Sequence, residues 1–349
     1  PNDFTVTQHQ KDGSVVETTE GETFELNQLY DLSRDTRSIT LSSQTDMDLC
    51  TAIIFGPDQI SENYHPWKAT PDKLDYLVIV THPDDDVIFM GAIVPIYGVE
   101  RGLNGTIVYT CSSNIRYRSN EALNGAWAMG LRNHPIFAGF SNILPSQSKQ
   151  RAKEFTVEKL TLSYVRILRQ YKPEVVLTHD RRGEYGHWQH KNVSAAVCDA
   201  VNLAADTPYA PESAAQFGTF QVKKLYLHLC PENQIKLDVL SPLSKCNFQN
   251  VVEIATAAYE AHVSQVKAGH YSVSNEGVYS LADYGLYFST VGMDTAGNDI
   301  FEHIDAESLS NYVPPTPTPS PTKAPMATPL VLEAALQNSA VPLSAMGRG

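Results

Sequence analysis

Apolar positions along the chain first settle into a readable scheme at Tyr76–Val80 (YLVIV). A continuous run of that length predicts a strand buried on both faces. Asp86–Arg101 follows with helical spacing and a kink expected at Pro95. Thr106–Cys111 (TIVYTC) reads as a second strand, and Arg118–Leu131 as a helix with Leu123, Ala126, Trp127 and Leu131 apolar. Lys149–Tyr171 is a longer helix whose apolar positions include Leu160, Val165 and Leu168. Glu174–Thr178 (EVVLT) is a further buried strand, His187–Leu203 a helix, Lys224–Leu229 a strand and Val251–Lys267 a last helix. Strands alternating with helices predict the α/β class, a Rossmann-like parallel sheet with helices on both faces. Ligands of such sheets bind beyond the carboxyl ends of the strands, so chemistry is expected just after Val80, Cys111 and Thr178.

The pattern changes on either side of this region. Residues 1–70 are polar with short β-type runs, Ser38–Leu41 and Thr51–Phe55, and predict a small N-terminal β appendage. Residues 313–329 (VPPTPTPSPTKAPMATP) predict an extended Pro/Thr linker, and 330–349 a disordered tail. The expected organisation is therefore an appendage over 1–70, a catalytic-type α/β domain over 71–312 and a linker with tail over 313–349. Such a linker is expected to tether a secreted or cell-surface domain. A chain beginning at Pro1 rather than Met fits the removal of a start residue and a signal peptide. No apolar run approaches the ~18–20 residues of a transmembrane helix, so none is expected.

Composition narrows the partners. Hydrophobic residues make up 42% of the 349, enough for a core. Thirty-nine acids against 26 bases leave a formal charge of −13, with no Lys/Arg cluster. A nucleic-acid backbone demands a positive footprint, so that class is excluded, and a polar uncharged partner such as a sugar suits the surface better. The five cysteines are widely spaced without a CxxC, so neither a zinc ribbon nor a redox motif is supported. The spacing of Cys230 and Cys246 permits a disulfide without requiring one.

Chemistry-bearing residues sit where the fold predicts them. After Val80 comes Thr81-His82-Pro83-Asp84-Asp85-Asp86. An Asp here can cap the following helix and favour its positive end. Three adjacent carboxylates exceed what one cap needs, and a bound cation would relieve their repulsion. After Thr178 comes a segment ending Gly183-Glu184-Tyr185-Gly186-His187-Trp188-Gln189-His190. His187 and His190 share one face at a helix start. Two His and one Asp around a shared crevice make a three-ligand site with an open position, the type zinc uses catalytically; Fe2+, Mn2+ or Co2+ also suit imidazole and carboxylate. His179 and Asp180 either support that site or close the turn. Arg181 and Arg182 read as a solvated turn, and His262 as a structural residue.

HPDDD after a buried strand, RSNEA on the second helix and GEYGHWQH after a later strand resemble the PIG-L/LmbE-like de-N-acetylase family over roughly residues 72–305. The resemblance implies an LmbE-like fold and removal of the acetyl group from an N-acetylglucosamine unit with a divalent metal, usually zinc. It implies His82, Asp85 and His190 as metal ligands and Asp84 as general base. His187 would stabilise or protonate the tetrahedral species, and Tyr185 would polarise the amide oxygen. Arg118 and Glu121 fall where the family binds substrate. Asp86 departs from the family's usual Glu, which alters a supporting hydrogen bond rather than a ligand.

Elementary chemistry agrees with these roles. An amide resists hydrolysis, and a metal ion both acidifies water and polarises the carbonyl. Asp84 can take the water's proton, Tyr185 and a protonated His187 can meet the oxyanion, and His187 or Asp84 can protonate the leaving nitrogen. The expected partner is an N-acetylated sugar or glycan. The alternatives are a non-catalytic carbohydrate-binding protein that kept the fold, and a metal-dependent phosphoesterase. The intact acid and imidazole set opposes the first; the acidic charge and a single metal set oppose the second. A nucleotide-binding role lacks a GxGxxG turn after Val80.

Overall fold

A computed structural model describes residues 4–20, 30–44, 54–56, 64–112, 116–144, 146–269 and 271–310. At the N terminus, Phe4–Gln10 (β1) and Val15–Glu20 (β2) form an antiparallel hairpin, and Thr36–Ser43 (β3) pairs with the other edge of β1. Gly13 in the hairpin loop has φ 85, a region where only glycine is unstrained. The expected run Ser38–Leu41 lies inside β3. Of the run Thr51–Phe55, residues 51–53 lie outside the described residues and 54–55 form no strand. The linker and tail over 313–349 also lie outside the described residues.

The second sheet follows the predicted alternation. Its elements are Tyr76–Val80 (β4), Asp85–Ile88 (α1), Gly105–Cys111 (β5), Arg116–Ala128 (α2), Ile136–Phe140 (β6), Ser148–Glu154 (α3) and Val157–Tyr171 (α4). Val175–Thr178 (β7), Trp188–Leu203 (α5), Pro211–Phe217 (α6), Lys224–His228 (β8) and Gln234–Lys236 (β9) come next. Val251–Glu260 (α7), Val263–Ala268 (α8) and Asp283–Ser289 (β10) complete it. The strand order is β6-β5-β4-β7-β8-β10-β9. The first five are parallel, while β10 runs antiparallel to both β8 and β9. The α/β sheet with helices on both faces is thus present, with an antiparallel edge added.

Alternation along β4 shows why the sheet is buried on both sides. Tyr76, Val78 and Val80 pack into one core with Val87, Leu123, Ala126 and Ala255. Leu77 and Ile79 face the other core with Leu160, Val165, Leu168, Val193 and Val197. Full burial of such a side chain stabilises by roughly 1.5–3 kcal/mol, so these two layers hold the strand ends in place.

Helix boundaries differ from expectation for local reasons. The helix predicted over 86–101 is a short α1 and then a π-helical segment, Val94–Glu100. Pro95 lies in its first turn, where a missing N–H costs no helical bond, so it opens a new segment instead of continuing α1. The helix predicted over 149–171 divides at Thr156, whose extended backbone and side chain cap α4 by accepting from the Lys159 N–H at 3.3 Å. The last helix divides at His262. Cys230 and Cys246 are free thiols, so the permitted disulfide is not formed. Among the described residues no helix is long and apolar enough to cross a membrane.

Candidate metal centre and active site

The site forms where β4 and β7 end side by side. Leaving β4, the chain turns sharply at Asp84, which sits at φ 130, a strained conformation for any residue with a side chain. Asp84 occupies the cap position of α1 but makes no side-chain capping bond. Its carboxylate instead meets Arg118 Nη2 at 2.7 Å, and the same nitrogen donates to the Pro83 carbonyl. Asp86 supports the strained turn: its Oδ1 accepts the Asp84 N–H at 3.3 Å and its Oδ2 the Tyr109 hydroxyl at 2.7 Å. The three carboxylates therefore have three separate tasks, and simple capping accounts for none.

Asp85 carries the centre. Its Oδ2 accepts the His82 N–H at 2.6 Å and lies 3.2 Å from His82 Nδ1 and 3.3 Å from His190 Nε2. Those two nitrogens are 3.2 Å apart. The opposite nitrogen of each ring faces an acceptor: His82 Nε2 reaches Gln189 Oε1 at 3.2 Å, and His190 Nδ1 reaches Glu184 Oε2 at 2.6 Å. The Gln189 amide is itself oriented, with its nitrogen donating to Cys111 Sγ and the Ser141 carbonyl, each at 3.3 Å. Both rings so held turn an unprotonated nitrogen toward Asp85. Three lone pairs then face one another with no hydrogen between them, which repels unless a cation lies among them. For metal–ligand bonds of 2.0–2.1 Å, tetrahedral geometry puts ligand atoms about 3.3 Å apart, which is the spacing here. The donor set fits a divalent metal such as zinc.

Electrostatics distinguishes the neighbouring groups. Burial disfavours charge on Asp85, but the His190 and His82 rings outweigh it and hold the carboxyl well below its usual range. Burial drives Asp84 well above that range, opposed by Arg118 and reinforced by Asp85 and Asp86. Burial also lifts Asp86, to about 7. His187 has a donor nitrogen within 4.8 Å of those of His82 and His190, and its Nδ1 is buried without a partner. Burial, then repulsion from His82 and His190, pushes its pKa down to about 3. That shift favours the neutral ring, which meets an oxyanion as an N–H donor.

His179 can also be grouped with Asp85 and His190 by distance. The Thr81 N–H, however, donates to His179 Nε2 at 2.9 Å, and Nδ1 faces Glu184 Oε1 at 3.2 Å. Burial disfavours a second proton, and although Glu184 and Asp85 would lift the ring to about 10, that N–H leaves no room for one on Nε2. The ring is a neutral bridge with no lone pair to offer a metal.

The remaining expected residues are placed as follows. Tyr185 is 42% exposed at the mouth, its ring 5.6 Å from His190 and 5.8 Å from His187, and its hydroxyl accepts from Tyr271 at 3.3 Å. Arg118 is turned inward onto Asp84. Both oxygens of Glu121 are taken by Ser264, by its N–H at 2.7 Å and its hydroxyl at 2.6 Å, which ties α2 to the start of α8. Asp180 closes its turn by accepting the Arg182 N–H at 3.0 Å, and Arg181 lies over the Tyr287 ring. Sequence reasoning passed over Glu184, Gln189 and His228. Glu184 and Gln189 stood inside the GEYGHWQH segment, where their burial was the missing signal.

Residues 77–201 match the family model described as PIG-L: GlcNAc-PI de-N-acetylase. A 1D-myo-inositol 2-acetamido-2-deoxy-alpha-D-glucopyranoside deacetylase 1 from Catenulispora acidiphila is 27% identical over 195 residues, covering 47% of this chain and 59% of that protein. The protein of the same name from Frankia alni is 30% identical over 174 residues, covering 42% and 59%. The chain thus spans about 59% of the length of these curated relatives. Among solved structures, an N,N'-diacetylchitobiose deacetylase from Pyrococcus horikoshii aligns with a TM-score of 0.43 at 15% identity, covering 55% of this chain and 71% of that one.

Proposed function

With residues 77–201 forming a PIG-L domain, we propose that the chain is a divalent-metal-dependent hydrolase acting on N-acetylhexosamines. It removes the acetyl group from a GlcNAc-type unit of a sugar or glycan and releases acetate and a free amine. The observation that carries this reading is the triangle of His82 Nδ1, His190 Nε2 and Asp85 Oδ2, with edges of 3.2–3.3 Å and Asp84 beside it. The relatives' names support the substrate class, since both act on a 2-acetamido-2-deoxy-glucopyranoside.

His82, Asp85 and His190 would hold the cation, which when bound supplies Lewis acidity toward the acetamide carbonyl and toward water. Asp84 stands next to that set rather than in it, because Arg118 holds its Oδ1 at 2.7 Å. It accepts a proton from the attacking water and can return it to the leaving nitrogen. The neutral His187 ring offers an N–H to the developing oxyanion, and the Tyr185 hydroxyl approaches from the open side. Phe89 is fully buried behind the ligand ring of His190, 5.8 Å away, and stacks with the Tyr279 ring at 5.7 Å.

The test is acetate release from a panel of N-acetylated sugars, glycans and amino acids, with zinc-loaded and chelator-treated protein compared. Release that needs metal and is confined to hexosamine substrates is the expected result. Release from amino acids alone, or release unaffected by chelation, would overturn it.

A further inference from the structure

We infer that Glu184 is a positioning residue that locks three strand ends together behind the metal ligands and so sets how tightly the site holds its cation. This rests on the metal centre proposed above. The Glu184 side chain is fully buried, yet its backbone sits at φ 47, a left-handed conformation better suited to the glycines flanking it at 183 and 186. A glutamate kept in that conformation, in the dark of the core, needs compensating contacts.

Three N–H donors supply them, and the His228 ring packs against the same carboxylate. Glu184 Oε2 accepts from His190 Nδ1 at 2.6 Å. Its Oε1 accepts from the Asp180 N–H at 2.9 Å and faces His179 Nδ1 and His228 Nδ1, each at 3.2 Å. These groups come from separate pieces of the fold. His190 lies on α5, His179 directly follows β7, and His228 ends β8. His179 Nε2 accepts the Thr81 N–H at 2.9 Å, the peptide that leaves β4 one residue before His82. His228 reaches onward to the Ser280 carbonyl at 2.8 Å.

One carboxylate therefore touches the ligand His190 directly and governs the β4 turn, with His82 and Asp85, through a single imidazole. A carboxylate behind a metal-binding imidazole fixes the tautomer and strengthens the facing nitrogen as a donor, and losing it commonly costs 10–100-fold in metal affinity. Glu184→Gln keeps the shape but puts an amide N–H2 where one of the donors now points.

The experiment measures zinc dissociation constants of the full chain by competition with a chromophoric chelator, for wild type, Glu184→Gln and His228→Gln. Circular dichroism and the thermal midpoint of each apoprotein are recorded alongside. Zinc affinity about 10–100-fold weaker in Glu184→Gln, with the apoprotein still folded, is the expected result. His228→Gln, which touches no ligand, guards against a misfolded first variant and should weaken zinc by less than Glu184→Gln does. Wild-type affinity in a folded Glu184→Gln or in His228→Gln would overturn the inference, as would a wild-type chain that binds no zinc. No substrate enters this measurement. An inactive enzyme whose zinc affinity still falls in Glu184→Gln counts against the proposed hydrolase and for the role of Glu184.

Discussion

One guanidinium grips both the side chain and the backbone of the same turn: Arg118 Nη2 lies 2.7 Å from Asp84 Oδ1 and also donates to the carbonyl of Pro83. Burial holds the Asp84 carboxyl well above its usual range, and the Arg118 guanidinium pulls it back toward the charged form. Asp84→Asn preserves size and removes the base. It should lower kcat by about 10²–10⁴-fold while leaving zinc binding intact. Steady-state acetate release and zinc stoichiometry on the same preparation check both halves; a loss under tenfold would reject Asp84 as the base.

Arg118→Gln acts on the same pair from the other side. Arg118 lowers the pKa of Asp84, so its removal moves that pKa further up. A base must be deprotonated to work, so the acidic limb of the kcat/KM profile should shift toward higher pH. Breaking a buried pair by deleting one partner should also destabilise the fold by about 3–5 kcal/mol. A pH–rate profile and urea unfolding at neutral pH read the two effects separately. An unshifted acidic limb would mean that Arg118 does not tune Asp84.

Metal should stabilise this chain as well as activate it. Three lone pairs converge on one point in the absence of a cation, and binding removes that repulsion. A ligand at 100 times its dissociation constant stabilises the state it binds by about 2.7 kcal/mol. Zinc at that excess should therefore raise the thermal midpoint over chelator-treated protein by several degrees, and His190→Ala should abolish the rise. An equal rise in His190→Ala would place the zinc elsewhere.

Tyr271 should act on the reaction through Tyr185. Their hydroxyls are 3.3 Å apart with Tyr271 donating, which leaves the Tyr185 proton free to point at an oxyanion. Tyr271→Phe removes the hydroxyl and keeps the ring. It should reduce kcat in the wild-type background and have no further effect in Tyr185→Phe, a coupling of about 0.5–1.5 kcal/mol. Equal losses in both backgrounds would show that the two tyrosines work independently.

Much of this site was legible because its residues are local to strand ends. The runs YLVIV and EVVLT are apolar on both faces, so they declare parallel neighbours, and HPDDD and GHWQH follow them directly. What stayed hidden depends on contacts between distant segments. Glu184 and His228 are 44 residues apart and meet only because β8 lies beside β7. Glu121 sits three residues from Arg118 on α2, and sequence could not say that one turns to Asp84 while the other turns to Ser264. Strand β10 carries Tyr284, which is buried, and Tyr287, which is exposed. Its antiparallel pairing is set by the chain's return path and not by its own pattern.

Gly125 offers a test of how closely the site's supporting helices are fitted. On an exposed helix face, Gly→Ala stabilises by roughly 0.5–1 kcal/mol. Gly125 is instead buried in α2 against His262, and a Cβ placed there would lie 2.6 Å from His262 Nε2 and 3.3 Å from the Ala258 carbonyl. The His262 ring is fully buried, and burial with the nearby Arg118 charge pushes its pKa down to about 3, so it is a neutral body with no route to solvent. It cannot swing aside, and α2 must move away from α7. Overpacking of that kind costs about 1–3 kcal/mol, more than the helix gains, so Gly125→Ala should destabilise. Because α2 also carries Arg118, the same displacement should loosen its hold on Asp84 and lower kcat without touching either residue. Urea unfolding and acetate release on Gly125→Ala, and on Gly125→Ala with His262→Ala to open the space, measure this. The double variant should recover part of the lost activity; a Gly125→Ala protein as stable as wild type would mean that the two helices pack with room to spare.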